Sequence, residues 1–133
     1  MTRAASAEAL LTASIDAFND RDLDRFLETM APDVEAHTLL AELAGTPFRG
    51  HDGLRRWWEE THESWEYQRI DIERVEPTED GGVAMISLVG RGKASGVELD
   101  MRLGLLFRVR DGLCSYLRIY DDRAEARRAA GLG

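Results

Sequence analysis

The chain has 133 residues, 44% of them hydrophobic, which suits one domain, residues 1–133, with a substantial core. Its 25 acidic and 17 basic residues give a net charge of −8, which disfavours binding to nucleic acid or to anionic membranes. A single cysteine excludes an internal disulfide, and because neither a CxxC pair nor an HExxH helix is present we expect no metal site. We also expect no cofactor. The sequence also lacks a transmembrane run and a signal peptide, so we expect a cytoplasmic protein.

The first forty residues predict two helices and a strand. Apolar residues recur at helical spacing over 6–18 and over 23–30, and Asp22 can cap the second helix. The segment Ala31-Pro32-Asp33 is expected to end that helix. Residues 34–40 then alternate as a strand whose inward positions are Val34, Ala36, Thr38 and Leu40.

A third helix follows a loop containing Gly45, Pro47 and Gly50, with Asp52 as a plausible cap. Its inner stripe comprises Leu54, Trp58, Thr61 and Trp65, while Trp57 and His62 lie on its flanks. Strands are predicted over 67–76 and 83–93, and they lead into a hairpin over 97–122. A short terminal helix begins at Asp122, which has a capping-box spacing to Glu125, and ends at Gly131.

The hairpin turns at Asp111-Gly112, a strong signal for a two-residue turn. If Arg110 pairs with Leu113, then regular alternation places ten side chains on one face: Leu99, Met101, Leu103, Leu105, Phe107, Val109, Cys114, Tyr116, Arg118 and Tyr120. An otherwise apolar face would therefore carry an arginine and two tyrosines.

The order of elements predicts an α+β fold in which helices cover one face of a curved antiparallel sheet. If Lys93 pairs with Gly96, the opposite face carries a mixture of apolar and charged residues: Met85, Ser87, Val89, Asp100, Arg102, Leu106, Leu117 and Ile119. We expect this outer face to form a two-fold homodimer. The alternative is a sheet face in contact with water.

Four segments resemble the SnoaL-like family of the nuclear-transport-factor-2-like (NTF2-like) superfamily: AFNDRDLDRFLETMAPDVEAHT, FRGHDGLRRWW, GRGKASGVELD and FRVRDGLCSYLRIYDDRAEARRAAGL. The resemblance covers nearly the whole chain. It implies a cone-shaped α+β barrel, in which a bent sheet wraps around helices to leave a deep cavity, usually in a homodimer. The fold hosts isomerases, polyketide cyclases, dehydratases, hydrolases and proteins that only bind, so it does not define the activity.

The catalytic groups that the resemblance would supply are missing from this sequence. Ketosteroid isomerases use an aspartate base and a tyrosine of the oxyanion hole. Alignment through the segment DLD places Ser14 at the tyrosine position, and Thr38, or Ala36 with a gap, at the aspartate position. The related epoxide hydrolases use an arginine with two aspartates, and the nearest local pair here, Asp100 and Arg102, is predicted on the outer face.

Arg118 is the sharpest candidate, because a guanidinium on an apolar face needs an anion or several carbonyls to offset its desolvation. It would either clamp a ligand oxygen or pair with a structural acid. Tyr116 and Tyr120 flank it and would either extend this hydrogen-bonding row or pack with satisfied hydroxyls. Trp58 and Trp65 would form a flat wall for a ring-shaped ligand, unless they are simply core.

His62 is the histidine expected to act as acid or base, although a lone histidine is often structural. Together the sequence predicts a small, largely apolar, cyclic or carbonyl-bearing ligand in the cavity, contacted by Arg118, Tyr116, Tyr120, Trp58, Trp65 and Thr38. Cofactor-free acid/base chemistry of the isomerase, cyclase, dehydratase or hydrolase type would then use His62. The alternative is a non-catalytic binding or dimerisation module whose cavity is filled by its own side chains.

Overall fold

The computed structural model describes residues 3–133, with side chains from Ser6 onward. Five helices and six strands lie within this range: α1 (Arg3–Asn19), α2 (Leu23–Glu28), β1 (Met30–His37), α3 (Leu39–Ala44), β2 (Phe48–Arg49), α4 (Gly50–Ser64), β3 (Trp65–Thr78), β4 (Gly81–Gly92), β5 (Glu98–Arg110), β6 (Leu113–Tyr120) and α5 (Arg123–Ala129). The strands form one curled sheet in the order β2-β1-β6-β5-β4-β3, antiparallel except between β1 and β6. This arrangement confirms the predicted α+β class.

Helix α1 is fixed to the sheet at its C-terminal end. The Asn19 side chain donates to the Ile70 carbonyl oxygen at 2.8 Å and accepts from the Ile70 amide at 2.9 Å. These two bonds hold α1 against the edge strand β3. Helix α2 begins at Asp22 as predicted, because that carboxylate accepts a hydrogen bond from the Arg25 amide at 3.1 Å.

The predicted strand over 34–40 is shifted toward the N-terminus. Strand β1 begins at Met30, so residues 31–33 lie inside it, and its pairing with β6 is irregular between Met30 and Glu35. Thr38 ends the extended segment and caps α3, because its hydroxyl oxygen accepts from the Ala41 amide at 3.1 Å. Asp52 is not a cap, since α4 begins two residues earlier and Asp52 pairs with Arg55 at 2.9 Å.

The register between β4 and β5 is the predicted one. Met85 pairs with Gly104 and Ser87 pairs with Arg102. The turn between β5 and β6 is also correct, because Asp111 and Gly112 have φ angles of 55° and 78° and Arg110 pairs with Leu113.

A β-bulge breaks the predicted alternation just after this turn. Val109 pairs with Cys114, but Arg108 pairs with Tyr116, so Ser115 is an extra residue in β6. Because side chains alternate with period two, one extra residue exchanges the two faces of the rest of the strand. Leu117 and Ile119 therefore face inward, and the predicted inward positions of Tyr116, Arg118 and Tyr120 are wrong.

Helix α5 packs on the outer face of the sheet. Ala126 is fully buried there with Val83 and Met85, and a Cβ atom on Gly104 would lie 2.5 Å from the Ala126 Cβ. Of the apolar residues predicted to be exposed on this face, Met85 and Leu106 are thus buried within the chain, and Leu117 and Ile119 face the other side. The outer face therefore exposes less apolar surface than predicted, with Val89 still partly exposed, and the dimer stays a prediction.

Candidate functional site

The concave face of the sheet and the helices α1, α3 and α4 enclose a cavity of about 610 Å³. This volume is within the range of small-molecule sites, roughly 300–1,000 Å³. Strand β5 contributes a row of inward side chains that the predicted alternation placed correctly: Leu99, Met101, Leu103, Leu105 and Phe107. Leu117 and Ile119 join this wall because the bulge in β6 turns them inward.

The cavity opens to solvent at a rim formed by α3 and the start of β5. Three rim residues that line the cavity are also exposed at the surface: Leu43 at 86%, Val97 at 54% and Leu99 at 37%. Helix α3 can present Leu43 there because Thr38 starts the helix and Gly45, in the left-handed conformation at φ 78°, ends it. The rim therefore depends on the short helix that the sequence pattern did not predict.

The far end of the cavity is apolar and buried. Phe107 and Cys114 lie there, both with almost no exposed surface. Burial raises the pKa of the Cys114 thiol to about 12, and the thiol donates a hydrogen bond to the Tyr116 carbonyl oxygen, 3.5 Å from Sγ. A thiol held protonated in this way behaves as a small apolar side chain at neutral pH.

Among the described residues that line the cavity, Cys114 alone has an ionisable side chain. The lining contains no aspartate, glutamate, histidine, lysine, arginine or tyrosine within residues 6–133. General acid/base catalysis needs a group whose pKa lies near the working pH and which reaches the substrate. The cavity wall does not offer such a group.

A few polar side chains interrupt the apolar wall. Ser14 Oγ lies 2.7 Å from Thr29 Oγ1 and 3.1 Å from the Leu10 carbonyl oxygen, and Thr38 caps α3. The Ser14 hydroxyl thus donates within the protein, and the Thr38 hydroxyl oxygen accepts from the backbone. Gln68 differs, because its Oε1 atom is buried and has no hydrogen-bond partner.

Two of the predicted site residues, Thr38 and Trp65, do line the cavity. Trp58 does not. It packs instead in an aromatic cluster, 5.8 Å from the Phe18 ring and 5.4 Å from the Phe26 ring. The neighbouring Trp57, predicted only on the helix flank, takes the position on the cavity wall.

His62 also belongs to the aromatic cluster and not to the cavity wall. Its ring centroid lies 4.7 Å from that of Trp58, and Nδ1 donates a hydrogen bond to the Trp58 carbonyl oxygen at 2.7 Å. Because a carbonyl can only accept, this bond fixes the proton on Nδ1. The predicted role of His62 as a proton carrier in the cavity is not supported by this position.

Arg118 lies on the outer face, where an acid from α3 is near. Its Nη2 atom is 3.5 Å from Glu42 Oε1, and its guanidinium lies 5.2 Å from the centre of the Tyr120 ring. Hydrogen bonding with the Tyr116 side chain is the main reason that the pKa of Arg118 is raised above its usual value. This environment fits the structural alternative, an arginine paired with an acid, and places the three predicted ligand contacts outside the cavity.

Gln68 and Trp57 were missed as site residues, although one signal for Gln68 was present. Gln68, Ile70 and Ile72 alternate along β3, so a polar side chain shares a face with two apolar ones. The same kind of pattern singled out Arg118. For Trp57 no comparable signal exists, because a helix flank can belong either to the rim or to the wall.

Comparisons with known proteins agree with this architecture. The model of the family described as SnoaL-like domain matches residues 11–117. A search of curated proteins gives no match. An NTF2-like protein of unknown function from Burkholderia pseudomallei has a similar structure with a TM-score of 0.79 at 20% identity, covering 98% of both chains.

Two further solved structures have the same fold and carry functional descriptions. The protein Rv0760c from Mycobacterium tuberculosis, in complex with estradiol-17β-hemisuccinate, gives a TM-score of 0.74 at 20% identity, with coverage of 86% of this chain and 92% of that one. The Δ5-3-ketosteroid isomerase from a Mycobacterium species gives a TM-score of 0.72 at 22% identity, with coverage of 86% of this chain and 92% of that one. At these identities the similarity establishes the fold alone.

Proposed function

The chain belongs to the SnoaL-like family, and we propose that it binds a small, largely apolar molecule in the cavity beneath the curled sheet. The observation that carries this proposal is an open cavity of about 610 Å³ whose wall is almost entirely apolar. Exposing that much apolar surface to water is unfavourable, and a ligand that covers it recovers the lost free energy. A cavity filled by the protein's own side chains, the alternative prediction, would leave no such volume.

Binding without turnover is the activity that the cavity wall supports. The described lining offers one ionisable group, the Cys114 thiol, whose pKa of about 12 makes it a poor acid or base at neutral pH. His62 on α4, the histidine predicted to carry the proton, commits Nδ1 to the Trp58 carbonyl oxygen. The cofactor-free acid/base chemistry predicted for this cavity therefore lacks its proton carrier among the lining residues.

The ligand proposed is a neutral, rigid, ring-containing molecule. Neutrality follows because an ion would enter a wall without a counter-charge, at a cost of several kcal/mol. Trp57 and Trp65 supply flat faces that suit rings. Rv0760c, a protein of the same fold, is described in complex with a steroid ester, so estradiol is a suitable first probe.

Equilibrium dialysis with labelled estradiol tests the proposal. A ligand of roughly 20 non-hydrogen atoms that gains about 0.3 kcal/mol per atom binds with about −6 kcal/mol, a Kd of tens of micromolar in order of magnitude. Met101→Trp puts a large ring into the cavity and is expected to weaken binding at least tenfold. Arg102→Trp is the matched control, because the next residue of β5 faces outward and pairs with Ser87.

Two results would contradict the proposal. One is that protein held at a concentration above the expected Kd retains no more labelled estradiol in dialysis than the buffer does. The other is binding that Met101→Trp and Arg102→Trp change equally, because the ligand would then lie outside the cavity. The homodimer and the cytoplasmic location stay predictions, and neither is needed for binding inside one chain.

A further inference from the structure

Gln68 interrupts the apolar wall close to the mouth of the cavity. It pairs with Gly90 on β4, and Gly90 pairs with Leu99 on β5, so these three residues form one row across the inner face. Leu99 belongs to the exposed rim. The next row inward, Ile70, Leu88 and Met101, is entirely apolar.

Gly90 leaves the space in front of this row free for an aromatic ring. A Cβ atom at Gly90 would lie 3.0 Å from Cε3 of Trp65, so the indole lies directly against the glycine. Trp65 and Gln68 are three residues apart on β3 and both line the cavity. A flat apolar surface and a carboxamide thus lie side by side at the entrance.

The oxygen of the Gln68 carboxamide is not satisfied by the protein. Its Oε1 atom makes no hydrogen bond and has no contact with solvent, a situation that costs free energy and is rare in folded proteins. The hydroxyls of Ser14 and Thr38, by contrast, already have partners. Rotation of the Gln68 side chain toward the cavity would let a ligand supply the missing bond.

We infer that Gln68 selects, among the apolar molecules that the proposed cavity admits, those that carry an alcohol or phenol hydroxyl. This inference rests on the proposed binding function. A hydroxyl both donates and accepts, so it can pair with either end of a carboxamide. The hydroxyl is held near the rim at Gln68, the ring next to it lies on Trp65, and the hydrocarbon extends toward Phe107.

The test uses two probes of equal size, 4-phenylphenol and 4-methylbiphenyl, which differ by a hydroxyl in place of a methyl group. The wild-type protein is expected to bind the phenol roughly fivefold more tightly, the effect of one hydrogen bond gained and one polar group satisfied. Gln68→Met keeps an unbranched side chain without strong hydrogen-bonding groups. This variant is expected to bind both probes with the same affinity.

Arg69→Met is the matched control, because it introduces the same side chain at the neighbouring outward position of β3 and leaves the carboxamide in place. It should keep the preference for the phenol. Thermal unfolding adds a readout that separates ligand selection from a structural role. Removing an unpartnered polar group should raise the Tm of Gln68→Met, whereas a residue that supports the fold would lower it.

The possible results distinguish failure of the proposed binding function from failure of the inference about Gln68. If wild-type protein binds neither probe, the proposed function fails and the selection by Gln68 fails with it. If both probes bind wild type equally, binding stands but the inference about Gln68 is overturned. Selection by Gln68 is also overturned if Gln68→Met weakens both probes by one factor, or if its Tm falls.

Discussion

The packing of α5 on the sheet predicts how much Gly104→Ala lowers the free energy of unfolding. The added Cβ would lie 2.5 Å from the Ala126 Cβ, whereas carbon atoms in contact prefer about 3.5–4.0 Å. The helix must therefore move outward by about 1 Å or more, and overpacking of this kind costs about 1–3 kcal/mol. Alanine also restricts the unfolded chain, which stabilises the protein by about 0.4–1 kcal/mol. The expected net loss is about 1–2 kcal/mol.

Urea unfolding of four proteins measures the clash directly. These are the wild type, Gly104→Ala, Ala126→Gly and the double variant. Ala126→Gly removes the methyl group that the new Cβ meets, so the double variant should recover the cost of the clash. The double-mutant cycle cancels the effects of each substitution alone and leaves a coupling free energy of about 1–3 kcal/mol. A coupling near zero would refute the packing of α5 on Gly104.

Two further predictions concern the cavity and the outer face. Cys114 should react with a thiol-specific disulfide reagent at pH 8 only after unfolding, because burial raises its pKa to about 12 and leaves roughly one molecule in 10⁴ as thiolate. Fast labelling of the native protein would contradict its position at the buried end. Arg118→Met should leave estradiol binding unchanged and lower stability by less than about 1 kcal/mol, because its ion pair with Glu42 is partly exposed. A tenfold loss of binding without unfolding would put Arg118 in the site.

The positions that sequence reasoning assigned correctly were those where turn chemistry and alternation agree. The segment around Lys93 and Gly96 sets the register of β4 with β5, and Asp111-Gly112 starts the next hairpin as expected. Because both turns were predicted at the correct residues, the inward-facing residues of β5 were predicted correctly as well. The fold class and the family resemblance were likewise confirmed.

The error in β6 came from assuming that alternation continues without interruption. Cys114 and Leu117 are both on the apolar wall but are three residues apart, which regular alternation forbids. The apolar pair Leu117 and Ile119 therefore already indicated an extra residue between them and the turn. A bulge adds one residue to a strand and hardly changes its composition. It can be recognised in the sequence only by comparing the apolar pattern before and after the extra residue.

Two errors in the predicted site residues came from the helices α4 and α3. On α4, the adjacent indoles of Trp57 and Trp58 both pack against Phe18 and Phe26. A modest rotation of the helix decides which of the two also lines the cavity. That rotation is set by tertiary packing and not by the helix's own pattern. The six-residue helix α3 was missed for a similar reason, since six residues offer too little periodicity to distinguish a helix from a strand.

If the proposed ligand binds in the open cavity, it completes part of the protein's hydrophobic core from outside. A ligand that binds only the folded chain adds RT ln(1 + [L]/Kd) to its free energy of unfolding, about 2.7 kcal/mol when the ligand is at 100 times its Kd. Such a gain is a sizeable fraction of the total stability of an ordinary domain. Because the cell degrades chains that unfold, the amount of this protein would rise and fall with the supply of its ligand.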